Sequence, residues 1–208
     1  MPATIAYAPM ETPIGRLWLA TGDAGLVAIS RSESPEQLLV ALRRRGLAGV
    51  VDPDPLREPI SQLMAYFSGA RVIEVPVDLR GLPTFHVAVY RAAVAIPYGA
   101  TVSYRDLAVA AGSPRAARAV GAAMARCPLF PVVPCHRVIH ADGSLGGWGA
   151  DPRVKRWLLD LENGARRWGA GEADQIGLLT VESAKPDLPP PYGRANQPRD
   201  DRGEAPPS

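Results

Sequence analysis

Over the first thirty residues apolar and polar positions alternate in short runs broken by turn signals. Ile5-Ala6-Tyr7 is one apolar stretch, followed by the turn Thr12-Pro13-Ile14-Gly15. Arg16-Leu17-Trp18-Leu19-Ala20 alternates, Gly22-Asp23-Ala24-Gly25 turns, and Leu26-Val27-Ala28-Ile29 follows. Period-two runs separated by glycine-bearing turns predict a β-meander. The period then becomes helical. Ser34-Pro35-Glu36 reads as a cap and first-position proline for a helix through Leu38, Leu39 and Leu42, with Arg43-Arg44-Arg45 favourable at its C-terminus and Gly46 as its stop. A second helix is predicted from about Leu56 to Phe67, on the spacing of Ile60, Leu63, Met64 and Phe67.

Gly81-Leu82-Pro83 reads as a linker, and beyond it the pattern is of short helices joined by tight turns. Phe85 to Ala95 is helical in pattern and ends at Pro97-Tyr98-Gly99. Ser103 can cap a helix over Tyr104 to Ala111. Gly112-Ser113-Pro114 breaks the chain before a helix from Pro114 to Met124. Two short helices joined by a glycine-containing turn predict a helix-turn-helix. The second is nearly all small residues and arginine. That composition suits either close packing inside the protein or close approach to a nucleic acid, and the charge of Arg118 speaks against complete burial. Pro128 to Ile139, with its prolines and β-branched residues, is expected to be extended. Asp151-Pro152 opens a last helix carrying Val154, Trp157, Leu158 and Leu161, stopped by Gly164. Ile176 to Val181 suits a short strand. From about Pro186 the chain is proline-rich and polar, a composition expected to be disordered.

The expected fold class is therefore α/β. A small N-terminal domain of β-meander and helices occupies residues 1–80, a mainly helical C-terminal domain with a helix-turn-helix occupies 81–168, and an extension covers 169–208. No run approaches the ~18 uninterrupted apolar residues of a membrane helix, so no membrane partner is expected. The start of the chain has no signal-peptide pattern. Two cysteines, Cys127 and Cys135, exclude a disulfide scaffold. Together these point to the cytoplasm. Charge is unevenly spread: the balance is −1 over residues 1–90, +6 over 91–167 and −3 over 168–208. A basic middle segment suits a polyanion partner, or simply an arginine-rich solvated surface.

Pro131-Val132-Val133-Pro134-Cys135-His136-Arg137-Val138-Ile139 holds the candidate chemistry. A thiol needs a neighbouring base or cation to act as a nucleophile at neutral pH. Here a histidine and an arginine follow it directly. In an extended strand Cys135 and His136 would face opposite ways, which favours contact through a water. Read singly, Cys135 suits a buried structural role as well. A metal site from Cys127, Cys135, His136 and His140 fits no familiar ligand spacing, and none is expected.

Several motifs together resemble the O6-alkylguanine-DNA alkyltransferase family. They are Ile96-Pro97-Tyr98-Gly99, Ser103-Tyr104, Arg118-Ala119-Val120-Gly121, Pro134-Cys135-His136-Arg137-Val138-Ile139, and Leu158-Leu159 with Glu162. The Thr12-Pro13-Ile14-Gly15 turn resembles the family's N-terminal domain, so the likeness spans most of residues 1–168. The resemblance implies DNA repair by one irreversible, stoichiometric transfer of an alkyl group from O6-alkylguanine to Cys135, with O4-alkylthymine as a candidate second lesion and no cofactor. It implies His136 as base through a water, Glu162 as its orienting carboxylate and Tyr104 as proton donor to the base. Tyr104, Met124, Val138 and Trp148 would line the base pocket. Ser103, Tyr104, Arg105, Ser113, Ala117, Arg118 and Gly121 would meet double-stranded DNA in its minor groove, Arg118 filling the space of a flipped nucleotide. The protein would act as a monomer.

Two other readings remain: a lesion-binding protein without efficient transfer, whose relatives lack the cysteine, and a helix-turn-helix transcriptional regulator. Three positions depart from the family's habit. Cys127 stands where an Asn braces the turn before the active site, and a thiol lacks the amide's hydrogen bonds. Trp148 stands in place of a loop Tyr. His86 replaces a Gln or Thr, and is expected to be an exposed helix residue.

Overall fold

A four-stranded sheet in the order β3-β2-β1-β4 organises the N-terminal part of the computed structural model, which describes residues 3–146 and 151–164. Trp148, the Ile176–Val181 stretch and the proline-rich extension lie outside the described residues. Strands β1 (Ala3–Met10), β2 (Leu17–Gly22) and β3 (Gly25–Arg31) form the antiparallel meander that the alternating runs predict. The β2–β3 turn needs Gly25: its φ is +113°, and a Cβ there would lie 2.2 Å from the Pro76 carbonyl oxygen. Helix α1 (Glu36–Arg44) starts one residue later than expected. Pro35, not Ser34, takes the cap position, and no side chain caps this helix.

Strand β4 (Leu47–Val51) is missing from the sequence reading. It pairs in parallel with β1, from Ala3 opposite Leu47 to Tyr7 opposite Val51. Its run of small and apolar residues has no alternation, because as an edge strand it leaves Gly49, Val50 and Val51 exposed. The two sheet faces divide the core by strand parity. Ile5, Tyr7, Ala20 and Val27 pack under Leu38 and Leu42 of α1. Ala8, Met10, Leu17, Leu19 and Leu26 face the other way, into a larger cluster. A 3-10 turn (Asp54–Leu56) leads into α2 (Arg57–Phe67), whose Leu63, Tyr66 and Phe67 are fully buried in that cluster.

The same core continues into the helical part through Val89, Leu107, Val120, Leu129, Val133 and Leu158. This part holds α3 (Thr84–Val94), β5 (Val102–Ser103), α4 (Tyr104–Ala110), α5 (Ala117–Ala125), β6 (Val138–Ile139) and α6 (Pro152–Glu162). Ser103 caps α4 in a reciprocal capping box with Asp106. Asp151 caps α6 with Pro152 in the first turn. Helix α5 starts three residues later than expected, because Ser113 to Ala116 close a turn through Ala116 N–H to the Ser113 carbonyl, 2.9 Å.

The expected extended stretch from Pro128 to Ile139 is corrected. Only Val138 and Ile139 form a strand, paired in parallel with Val102 and Ser103. Prolines at 128, 131 and 134 remove ladder donors. The chain instead folds into turns closed by Val133 N–H to Leu129 O at 2.8 Å and Arg137 N–H to Pro134 O at 3.0 Å. Cys135–Arg137 is one 3-10 turn. His86 is also corrected: it is half-buried, its ring 5.9 Å from that of Tyr90.

Candidate functional site

The 3-10 turn at Cys135–Arg137 sets three consecutive side chains inside the protein. Tight helical winding sends them in different directions, unlike the two opposed faces of a strand. His136 Nε2 lies 2.7 Å from Glu162 Oε1. The carboxylate accepts, so the imidazole proton sits on Nε2 and Nδ1 is an acceptor. Nδ1 is buried and has no hydrogen-bond partner among the described residues.

Glu162 is the hub. It takes Arg137 Nε at 2.9 Å on Oε2 and Arg137 Nη2 at 2.9 Å on Oε1, a two-pronged fork. The Gly99 N–H donates to Oε2 at 3.0 Å, and the Tyr66 hydroxyl to Oε1 at 2.8 Å. Arg137 Nη1 donates to the Ile96 carbonyl. These bonds explain the Ile96-Pro97-Tyr98-Gly99 motif physically. Gly99 has φ +74°, which frees its N–H to point at the carboxylate, and a Cβ would meet the Glu162 carbonyl at 3.4 Å.

Burial alone would raise the pKa of Glu162. The bonds from His136 and Arg137 outweigh it and hold the carboxyl at about 2. Burial pushes His136 below its ordinary value, against the pull of Glu162 and aided by Arg137 and Lys155. A neutral imidazole is therefore the resting form, and its Nε2–H bond together with the Arg137 fork keeps Glu162 ionised.

Cys135 is buried, and neither cysteine is in a disulfide. Cys127 follows α5, half-buried, and its thiol is hydrogen-bonded to Cys135. Burial foremost, then this bond, push the Cys127 thiol up, while the Leu129 backbone N–H, donating to its sulfur, pulls the other way. The sulfur accepts one backbone N–H across the turn and faces the other thiol, although more weakly than an amide would.

Tyr104, the first residue of α4, is half-buried. Burial raises its pKa, and the neighbouring Cys135 adds to the effect. Its ring lies 5.2 Å from that of His140 and beside Gly121 of α5, where an added Cβ would sit 3.8 Å away. Lys155, which sequence reasoning missed, is fully buried beneath it. Its Nζ donates to Val138 O at 2.6 Å and to Leu145 O, with the Tyr104 hydroxyl 3.5 Å away. Burial lowers Lys155 to about 8, against the pull of Cys135. Its signal was a lysine among Val154, Leu158 and Leu161 on the apolar stripe of α6. Tyr66 and Arg137 were also missed as partners of Glu162. Tyr66 belongs to the apolar stripe of α2.

The expected pocket residues Met124 and Val138 are both buried in the main core cluster. Arg105 and Arg118 are exposed, Ser113, Ala117 and Gly121 half-buried, and Ser103 is occupied with capping. Helices α4 and α5 pack together, and α5 presents Arg118, Ala119 and Ala122 to solvent, with Arg126 exposed at its C-terminal cap. Among the described residues no cluster of three His, Cys, Asp or Glu side chains is arranged to hold a metal, and no helix is long and apolar enough to cross a membrane.

Comparison with known proteins agrees with this geometry over both parts of the chain. Residues 5–79 match the ribonuclease-like domain of 6-O-methylguanine DNA methyltransferase, and residues 84–164 match its DNA binding domain. A methylated-DNA–protein-cysteine methyltransferase of Mycobacterium tuberculosis is 40% identical over 159 residues, 76% of this chain and 92% of that one. A DNA base-flipping protein of Thermus thermophilus is 38% identical over 160 residues, 74% of this chain and 97% of that one. The crystal structure of Mycobacterium tuberculosis OGT in complex with DNA superposes with a TM-score of 0.66 at 38% identity, covering 76% of this chain and 93% of that one. With both domains matched in order and relatives of this identity along nearly their full length, the chain belongs to the 6-O-methylguanine DNA methyltransferase family.

Proposed function

We propose that this chain repairs double-stranded DNA by moving the alkyl group of O6-alkylguanine, with O4-alkylthymine as a second lesion, onto its own Cys135, once per molecule. The observation that carries the reading is the buried Cys135-His136-Glu162 set, with Nδ1 of His136 left as the acceptor. His136 takes the thiol proton through a water at Nδ1. Glu162 stabilises the imidazolium as it forms, by the logic of a catalytic triad. The thiolate attacks the alkyl carbon, so that an S–C bond forms and the C–O bond breaks. The electron pair stays on the guanine, which takes a proton from the Tyr104 hydroxyl. The thioether has no route back to a thiol, so the reaction ends after one turnover.

A buried thiol cannot reach a base stacked in a duplex, so the nucleotide must rotate out at a cost of roughly a few kcal/mol. Helix α5 is the natural element to enter the minor groove, since Ala117, Ala119 and Gly121 keep it slim. Arg118, exposed beside them, fills the vacated space. Arg105, Ser103 and Ser113 lie along the same helix pair and meet the backbone. Met124 and Val138 would meet the flipped base, and Trp148, outside the described residues, is assigned to the same pocket by its place in the sequence alone. The two functional domains span residues 1–80 and 81–168, and the protein works as a cytoplasmic monomer without a cofactor.

The test uses a duplex whose O6-methylguanine blocks a restriction site. The protein should restore cleavage in a one-to-one ratio, and Cys135→Ser should bind the duplex and restore none. The named base-flipping relative gives weight to a second reading, recognition without transfer. In that case wild type would bind and restore nothing.

A further inference from the structure

The acid–base centre described above is built by three elements of the helical part and by one residue from outside it. Tyr66 lies on α2, which packs on the N-terminal sheet. Its side chain is fully buried. Its hydroxyl donates to Glu162 Oε1 at 2.8 Å, the same oxygen that takes His136 Nε2 at 2.7 Å. It also lies 3.4 Å from Nε2 itself. The ring is fixed by edge contacts with Phe67 at 5.5 Å and Tyr98 at 6.2 Å.

A buried tyrosine needs a partner for its hydroxyl, and a backbone carbonyl serves the purpose, as Ala123 does for Tyr90 at 3.0 Å. The Tyr66 hydroxyl instead meets the one carboxylate that orients the imidazole. We propose that Tyr66 is a positioning residue of this centre, through which the N-terminal sheet domain holds the Glu162 carboxylate in place and sets the proton affinity of His136.

One carboxylate oxygen is shared by two donors. Each hydrogen bond to Oε1 draws off part of its negative charge. With the phenol attached, Oε1 supports an imidazolium less strongly than it would alone. The groups facing His136 are Glu162 and Lys155 from α6, Arg137 from its own turn, and Tyr66 from α2, with Tyr98 beside Arg137 at 5.8 Å. Arg137 and Lys155 oppose protonation, Glu162 favours it, and Tyr66 moderates Glu162. Removing the phenol hydroxyl should therefore let His136 protonate at higher pH. The rotation of the carboxylate about its fork with Arg137 should also loosen.

The inference rests on the transfer reading for its kinetic consequence but not for its direct test. The chain has three histidines, His86, His136 and His140. Their imidazole resonances can be assigned by substituting His86 and His140 in turn, and followed through a pH titration by NMR. In Tyr66→Phe, which keeps the ring contacts, the His136 midpoint should rise by up to about one unit. Ile60→Val, a packing change on the same helix that leaves the ring contacts of Tyr66 in place, should leave the midpoint where it is. In single-turnover transfer the acid limb of the rate profile should move with the His136 midpoint. An unchanged His136 midpoint in folded Tyr66→Phe would overturn the proposal, as would an equal shift in Ile60→Val. If the midpoint shifts while wild type transfers no alkyl group, the positioning role stands and the transfer reading fails.

Discussion

Nε2 of His136 and Oε1 of Glu162 lie 2.7 Å apart with both side chains out of solvent, 26 residues apart in the chain. The carboxylate that holds the imidazole is in turn held by Arg137. Glu162 thus serves the fold and the chemistry at once. Glu162→Gln should cost about 3–5 kcal/mol, because it strands a buried guanidinium. Arg137→Leu with Glu162→Leu should be less destabilised than the two single changes combined, since no buried charge is then left alone. The test is a urea-unfolding cycle. Simple additivity would show that the pair is not coupled.

Acid should unfold the protein in two stages. His136 is depressed below its ordinary value of 6.5, so the unfolded chain takes up its proton first and stability falls as pH drops below ~6.5. Glu162 is ordinarily 4.5 and is held at about 2, so its contribution is full above ~4.5 and disappears toward ~2. That second stage is on the order of 3 kcal/mol. Urea midpoints at pH 7, 5.5 and 4 should fall in that order. Equal midpoints at pH 7 and 5.5 would show that His136 is not buried in its neutral form.

Cys127→Asn should keep or raise the transfer rate. An amide can take the Leu129 N–H and face Cys135 as the thiol does, with stronger bonds. One such bond is worth about 0.5–1.5 kcal/mol, so the gain is about tenfold at most. Cys127→Ala, which removes both contacts, should be slower than wild type. A folded Cys127→Asn protein without activity would show that the turn depends on sulfur.

Arg118→Ala should slow repair of a duplex more than reaction with free O6-benzylguanine, because a free base needs no flipping. Arg118 is exposed on α5 and has no role in the core. Equal losses on the two substrates would assign it to the pocket instead.

The pattern of residues carried the meander, the capped helices α4 and α6 and the helix-turn-helix, because each has a local signal: alternation, a Ser-Asp capping box, or a glycine-bearing turn. Strand β4 was hidden because Leu47 to Val51 lies at an edge, where burial imposes no alternation. The stretch from Pro128 looked extended because its prolines and β-branched residues both disfavour a helix, but the same three prolines also remove donors that a strand ladder needs. At the site, Cys135, His136 and Glu162 were legible from their motif. The partners of Glu162 were not. Tyr66 and Lys155 sit in apolar stripes where a sequence shows only periodicity, and their polar atoms gain meaning only from elements far away in the chain.

Whether Cys135 accepts the alkyl group is read from the mass of the protein itself. After incubation with an equimolar duplex containing O6-methylguanine, the intact protein should gain the mass of one methyl group. Peptide mapping should place it on Cys135, and Cys135→Ser should gain nothing. A wild-type protein that binds the duplex and stays unmodified would show that Cys135 is no acceptor, and so would a methyl group found on Cys127 alone.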